Sequence, residues 1–168
     1  MITPSLLLMP TLPLSTAQRI IPNVPKKLIR NLTDREIIIL TGSRDPRLYT
    51  LLNCMELALL HLLSLTETNF SVGKLMCRGL LSRVEQRCEN GTIGTDSDMQ
   101  VMAAVITKNE DGGFRLNASF RAPEAIGSVI QDWNETGFRD SRVIAIDSII
   151  EDVLSLYMSI RSNNPPLD

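Results

Sequence analysis

The stretch of residues 45–65 constrains the fold most, because on a helix it would be apolar around most of its circumference. Asp45 followed by Pro46 is a helix-start pattern, since the carboxylate can accept an unpaired N–H and proline loses no hydrogen bond at the first helical position. A helix that is apolar on most sides is buried on most sides. Its length would cross a bilayer, but three polar residues within it favour a protein core: Asn53, Glu56 and His61.

The chain of 168 residues is long enough to bury one core without metals or disulfides. Its 3 cysteines are an odd number without CxxC spacing, which favours a reducing compartment. Residues 1–14 are apolar, but they lack a basic start and are interrupted by prolines, so we expect no signal peptide and a protein that is not secreted. The N-x-S/T sequons favour secretion instead, and they begin at Asn31, Asn69, Asn90, Asn117 and Asn134.

Three segments differ in composition. Residues 1–32 are rich in proline and contain basic residues but no acid, which predicts a flexible, irregular arm. Residues 33–161 are predicted to form a single compact α+β domain, and residues 162–168 a frayed tail. Within the domain, the β-branched run at residues 37–40 predicts a short buried strand. Residues 70–88 are ambiguous between helix and strand, because two glycines interrupt a four-residue apolar period.

A β-hairpin is the clearest local prediction. Residues 99–107 are mostly apolar on both faces, as in a central strand, and residues 109–113 contain the Asn, Asp and Gly typical of a turn. Residues 114–120 alternate between apolar and polar side chains, so one face should be buried and the other wet. The side chains predicted to face the core are Phe114, Leu116, Ala118 and Phe120.

The remaining elements predict helices around this sheet. A short helix should open at Pro123, a late strand is predicted at residues 142–146, and Ser148 and Glu151 have the spacing of a capping box that starts a final helix. The predicted fold class is therefore α+β, with an antiparallel sheet packed with helices and preceded by the irregular arm.

The sequence contains no enzymatic signature. His61 is the single histidine, it lies on the polar side of a helix, and no Ser or Cys motif is linked to it by spacing. The loop at residues 91–98 lacks the lysine of a phosphate-binding loop, and its acids do not follow the calcium-loop pattern. We therefore expect no enzyme, no cofactor and no metal site.

The charge distribution suggests a partner of opposite sign. Residues 1–88 contain 11 Lys and Arg against 6 Asp and Glu, a balance of +5, whereas residues 89–168 contain 6 against 13, a balance of −7. Another copy of the same chain would provide such a partner. The candidate residues for self-association or nucleocapsid contact are Lys74, Arg78, Arg83, Glu110, Asp111 and Glu135.

The arm also carries features of a peripheral membrane contact. Basic residues near an anionic leaflet contribute about 1 kcal/mol each, and an apolar insertion would strengthen a reversible attachment. Basic segments can also contact RNA non-specifically, although no exposed aromatic platform is evident. The candidate RNA contacts are Lys74, Arg78, Arg83 and Arg87 in one segment, or Arg115 and Arg121 on the polar face of the hairpin. The candidate membrane-binding residues are Leu6, Leu7, Leu8, Arg19, Lys26, Lys27 and Arg30.

The order of these features resembles the rhabdovirus matrix proteins. The similar pieces are residues 42–50 (GSRDPRLYT) before an apolar helix, residues 113–120 (GFRLNASF) before another helix, and residues 131–140 (QDWNETGFRD) before a late strand. The family's Pro-Pro-x-Tyr budding motif is absent, which would affect a plant-infecting branch less.

The resemblance implies a non-enzymatic viral matrix protein of the virion and host cytoplasm. Such a protein self-associates, lies against an anionic membrane and binds the viral nucleocapsid. Two alternatives stay open on the residues alone. One is a nucleic-acid-binding viral accessory protein that acts through its basic segments, and the other is a secreted glycoprotein whose sequons are used.

Overall fold

The structure is a computed structural model that describes residues 4–40, 46–65, 69–95, 99–108, 110–136 and 141–163. The fold is α+β, 61% helical and 16% strand, as predicted from the sequence. In chain order the elements are α1 (Pro4–Leu8), β1 (Leu12–Pro13), α2 (Leu14–Ile20), α3 (Lys26–Asp34), β2 (Leu48–Tyr49), α4 (Leu51–Ser64), α5 (Phe70–Glu89), β3 (Val101–Lys108), β4 (Phe114–Arg121), a 3-10 turn (Pro123–Ala125), α6 (Ile126–Thr136), β5 (Ser141–Ile144) and α7 (Ile146–Asn163).

The central apolar helix is α4, and it begins later than the sequence pattern predicted. Thr50 is its N-cap, and its hydroxyl accepts the Asn53 N–H at 2.9 Å while the Asn53 side chain accepts the Thr50 N–H at 3.2 Å. This reciprocal capping satisfies two backbone donors and fixes the helix start. The two residues of β2 before it are extended and pair with β1. Asp45, the predicted cap, lies outside the described residues.

The predicted irregular arm is helical and packed from residue 4 onward, which corrects that expectation. Three of its five prolines lie at helix starts: Pro4 begins α1, while Pro13 and Pro25 precede the first residues of α2 and α3. Proline is compatible with these positions because the N–H that it lacks has no partner within the helix. The buried residues of this segment include Leu7, Leu12, Ala17, Ile20, Ile29 and Leu32.

Residues 37–40, predicted as a strand, instead follow α3 as an irregular segment that caps its C-terminal end. Glu36 adopts a left-handed conformation with φ of 54°. The N–H groups of Ile37 and Ile38 then both donate to the carbonyl of Leu32, at 2.9 and 3.1 Å. These donors close the helix end and do not reach a sheet, so the β-branched run forms no strand although Ile38 is buried.

The ambiguous segment is one helix, α5, and its glycines allow close packing. A Cβ at Gly73 would lie 2.6 Å from a Leu60 methyl carbon of α4, and one at Gly79 would lie 2.5 Å from the Met102 sulfur of β3. Glycine lowers helix propensity, but here it lets α5 approach both neighbours.

The larger sheet has the antiparallel order β4-β3-β5, and the predicted hairpin is β3 and β4. Phe114, Leu116 and Phe120 are half-buried, while Arg115 and Asn117 are exposed as predicted. Ala118 was predicted to face the core and is exposed instead, because β4 is an edge strand with an incompletely covered inner face.

The final helix, α7, begins at Ile146, two residues before the predicted capping box. Ser148 lies inside its first turn and is exposed, whereas the preceding Asp147 is fully buried. The helix continues to Asn163, so it includes the first residues of the predicted tail, and residues 164–168 lie outside the described part of the chain.

Candidate interaction surfaces

Arg83 was predicted as a contact residue for self-association, but it is fully buried against the first turn of α7. Its Nε donates to Asp147 Oδ1 at 3.0 Å and its Nη2 donates to Oδ2 at 2.7 Å. Nη1 donates to the Gln86 side chain at 2.7 Å, and the guanidinium lies 5.7 Å from the centre of the Phe120 ring. A buried cation is stable only when it is paired in this way, so Arg83 is unavailable to a partner.

A second buried arginine extends this cluster to the loop before β3. Arg87 Nη1 lies 2.7 Å from Glu151 Oε1, and its Nη2 donates to the carbonyl of Thr92 at 2.7 Å. Asp147 also accepts the backbone N–H of Gln100 at 2.7 Å. The two arginines and two carboxylates therefore join α5, α7 and both ends of the loop. We define this group as the buried charge cluster, and its role is structural.

The other predicted self-association residues are exposed. Lys74 and Arg78 lie one turn apart on α5, and Phe70, one turn before them, is 39% exposed. We define these three residues as the α5 stripe. On the acidic side, Glu110 and Asp111 lie at the hairpin turn, and Glu135 lies on α6. The sequence prediction of exposed charge therefore holds for these five charged residues and fails for Arg83.

The predicted membrane residues divide into two groups. Leu7 is 2% exposed and Leu6 is half-buried, so neither can insert into a bilayer in this conformation, while Leu8 is 54% exposed. The basic residues are all exposed. Ile29 and Leu32 anchor α3 in the core, so the opposite side of that helix faces solvent. The exposed cations are Arg19 on α2 and Lys26, Lys27 and Arg30 on α3, and we define the last three as the α3 basic face.

An apolar groove lies between the end of α2, the second half of α4 and the first half of α7. Its volume is about 820 Å³. Leu62 (44% exposed), Leu65 (69%) and Leu156 (38%) contribute to its lining. Among the described lining residues, Asp152 is the only acid and none is Lys or Arg. Sequence reasoning missed this groove because its leucines were counted with the core of the central helix.

Burial shifts the pKa values of the titratable groups near the centre of α4 and α5, as is typical of groups with a structural role. Burial raises the pKa of the Cys54 thiol to about 12, and burial together with the nearby Glu56 carboxylate raises the pKa of Cys77 still further. Such thiols are inert at neutral pH. Burial also raises the pKa of Glu56, although a hydrogen bond from Asn53 opposes this. His61 lines the apolar groove, and its Nδ1 is buried without a hydrogen-bond partner among the described residues.

The sequons lie in or beside regular elements. Asn31 is in α3, and the hydroxyl of Thr33, which completes its sequon, donates to the carbonyl of Ile29 at 2.7 Å. Asn69 caps α5, and Asn117 is within β4. Surface loops are the usual setting for a glycan acceptor, so these positions give the glycoprotein alternative little support.

No helix within the described ranges has the length and apolarity needed to cross a bilayer. The same ranges contain no group of three or more His, Cys, Asp or Glu side chains that could hold a metal ion. Comparison with protein-family models and with curated proteins finds no match for this chain.

Proposed function

We propose that this chain is a viral matrix-type structural protein that self-associates, contacts an anionic membrane peripherally and binds the viral nucleocapsid. It would act in the virion and the host cytoplasm through its surfaces and without catalysis. The α3 basic face carries this proposal. Lys26, Lys27 and Arg30 project from one rigid helix within about 6 Å along its axis, and the first turn of that helix contains no acid.

The attraction between the α3 basic face and an anionic membrane is weak for a single copy, so the proposed membrane contact depends on the proposed self-association. The α3 basic face with Arg19 supplies four cations. At about 1 kcal/mol each, they give about 4 kcal/mol, which corresponds to a dissociation constant near 1 mM. One copy would therefore detach readily. Linking copies into a layer raises the effective concentration of each next contact, so a self-associated array would bind stably.

Co-sedimentation with vesicles containing phosphatidylserine tests the membrane contact. The triple variant Lys26→Gln, Lys27→Gln, Arg30→Gln should lose most of its binding. A matched control removes three exposed cations elsewhere, through Arg115→Gln, Arg121→Gln and Arg161→Gln. The control should sediment like the wild type, and neutral phosphatidylcholine vesicles should bind none of the proteins. Equal loss in both triple variants would mean that net charge, and not the α3 basic face, determines binding.

The nucleic-acid alternative is weakened by the buried charge cluster. Of its four candidate residues on α5, Arg83 and Arg87 are buried, which leaves Lys74 and Arg78 in solvent. Its other two candidates, Arg115 and Arg121 on β4, are exposed. Two phosphate contacts from α5 alone would give a shallow salt dependence of RNA binding, with a slope of about −1.4 for single strands. An RNA gel shift with a steeper slope, or RNA binding that survives at salt concentrations that release the vesicles, would favour the accessory-protein alternative.

A further inference from the structure

The leucine side chains around the apolar groove defined above are exposed enough that we expect a partner to cover them. Leu62, Leu65 and Leu156 lie around one trough and are 44%, 69% and 38% exposed. Scattered surface leucines are ordinary, but apolar side chains gathered around one concave site mark an interaction surface. The exposure of Leu65 is also too high for the wall of an enclosed small-molecule pocket, so the occupant should be large and should cover the rim.

The charge of the groove decides between a membrane and a protein as that occupant. Asp152 is exposed at the groove, and no described lining residue carries a positive charge. An anionic leaflet would be repelled by this carboxylate, whereas an apolar surface that also carries a cation would be complementary to it. The membrane contact proposed above uses the α3 basic face with Arg19 of α2, and none of these four cations lines the groove.

The α5 stripe of a second copy has the required chemistry. Phe70, Lys74 and Arg78 follow one another at i, i+4 and i+8, so an exposed aromatic ring and two cations share one helix face. We propose that the apolar groove binds the α5 stripe of a second copy of this chain. Phe70 would enter between the groove leucines as an aromatic anchor, and Lys74 would face Asp152.

This inference rests on the self-association part of the proposed function and names its two surfaces. Because the groove and the stripe are different patches, each copy both offers a groove and supplies a stripe. The contact is heterologous, and it continues into a ring or an open array. It uses the basic residues predicted from the charge split but pairs them with Asp152, while Glu110, Asp111 and Glu135 stay available for nucleocapsid contact.

Sedimentation velocity at increasing protein concentration tests the proposal with two single variants. Leu65→Asp disables the groove and Phe70→Ser disables the stripe, and each should weaken self-association by about tenfold or more, the usual effect of losing an interface anchor. An equimolar mixture of the two variants should form a 1:1 dimer and stop there, because it contains one intact groove and one intact stripe. Failure of the mixture to pair would overturn the proposal, since a groove-to-groove contact predicts no rescue.

A matched pair of variants controls for the new charge. Leu62→Asp should weaken self-association as Leu65→Asp does, because Leu62 also lines the groove. Met158→Asp on α7 should leave self-association unchanged, because Met158 is equally exposed (44%) but does not line the groove. Unchanged thermal unfolding temperatures would show that the variants are folded. Charge reversal should also be reciprocal: Lys74→Glu and Asp152→Lys should each weaken association, and the double variant should recover it.

The remaining outcomes separate this proposal from the one on which it rests. A wild-type protein that stays monomeric at low salt would end the self-association proposal and this inference together. A wild type that associates, with Leu65→Asp associating equally well, would overturn only the inference. If Leu65→Asp lowered vesicle binding but left self-association unchanged, the groove would be a membrane contact and the inference would again be wrong.

Discussion

Replacing Asp147 with alanine should lower the free energy of unfolding by about 3–5 kcal/mol, the cost of leaving a buried charge without its partner. The carboxylate accepts hydrogen bonds from Arg83 Nε, shared between its two oxygens at 3.0 and 3.2 Å, from Arg83 Nη2 at 2.7 Å and from the Gln100 N–H at 2.7 Å. Arg83 and Asp147 both have side chains that are 0% exposed, so water cannot replace the lost acceptor. Arg87, also buried, lies 3.7 Å from the same carboxylate and would be affected as well.

The exposed pair Arg47–Asp34 provides the control, because it has the same chemistry at nearly the same distance. Its N–O separation is 2.6 Å, but its side chains are 45% and 55% exposed. Solvated pairs of this kind contribute about 0–1 kcal/mol. Asp34→Ala should therefore change stability by no more than that amount, and the difference between the two variants measures the combined effect of burial and of the additional partners of Asp147.

Thermal and urea unfolding of the two variants provide the measurement. For a chain of this size, 1 kcal/mol corresponds to about 2–4 °C, so Asp147→Ala should unfold about 6–20 °C below the wild type. Asp34→Ala should stay within about 4 °C of it. If Asp147→Ala and Asp34→Ala unfolded at the same temperature, the buried charge cluster would not stabilise the contact between α5 and α7, and its structural role would be refuted.

Three further predictions concern other buried positions. Burial raises the pKa of Glu56 above its ordinary value of 4.5, so the folded state binds the proton more tightly than the unfolded state does. The protein should therefore lose stability as pH rises through the shifted pKa. Glu56→Gln should flatten this dependence of the unfolding free energy on pH and raise the urea midpoint at neutral pH. In the native protein a maleimide should label the half-buried Cys88 before Cys54, whose buried thiol should react only on unfolding, as mass spectrometry would show. Gly79→Val should lower stability by about 1–3 kcal/mol in urea unfolding, because its side chain would overlap the buried Met102 side chain of β3 and force it to move, whereas Ser82→Val at an exposed position of the same helix should change stability little.

The hairpin could be predicted from the sequence because its signals are local. Alternation over residues 114–120 and the turn residues at 109–113 act between neighbours in the chain, so no distant contact was needed to place the two strands. The same local reasoning failed for residues 1–32. Prolines were counted as evidence of an irregular chain, but Pro4, Pro13 and Pro25 lie at helix starts, and these starts depend on how α1, α2 and α3 pack on the core.

Arg83 and Arg87 were assigned to the surface because charged side chains are rarely buried without a partner. The signal of their burial was present in the spacing. Leu80, Val84 and the two arginines share one side of α5, and Asp147 and Glu151 repeat the same i, i+4 spacing on α7. Two matching pairs on apolar helix faces predict a buried salt bridge only once it is known that α5 and α7 are neighbours, and that contact comes from the tertiary structure.

The apolar groove follows from the same feature that made α4 the centre of the chain. Leu59 and Leu63 are 0% and 5% exposed, whereas Leu62 and Leu65, on the adjoining face of the helix, are 44% and 69% exposed. A helix that is apolar on most of its circumference is expected to be covered on most of its faces. In the described structure, α2 and α7 line this face without covering it. Within the part of the chain that the structure describes, this face stays open to solvent, and the α5 stripe of a second copy is the occupant that we propose for it.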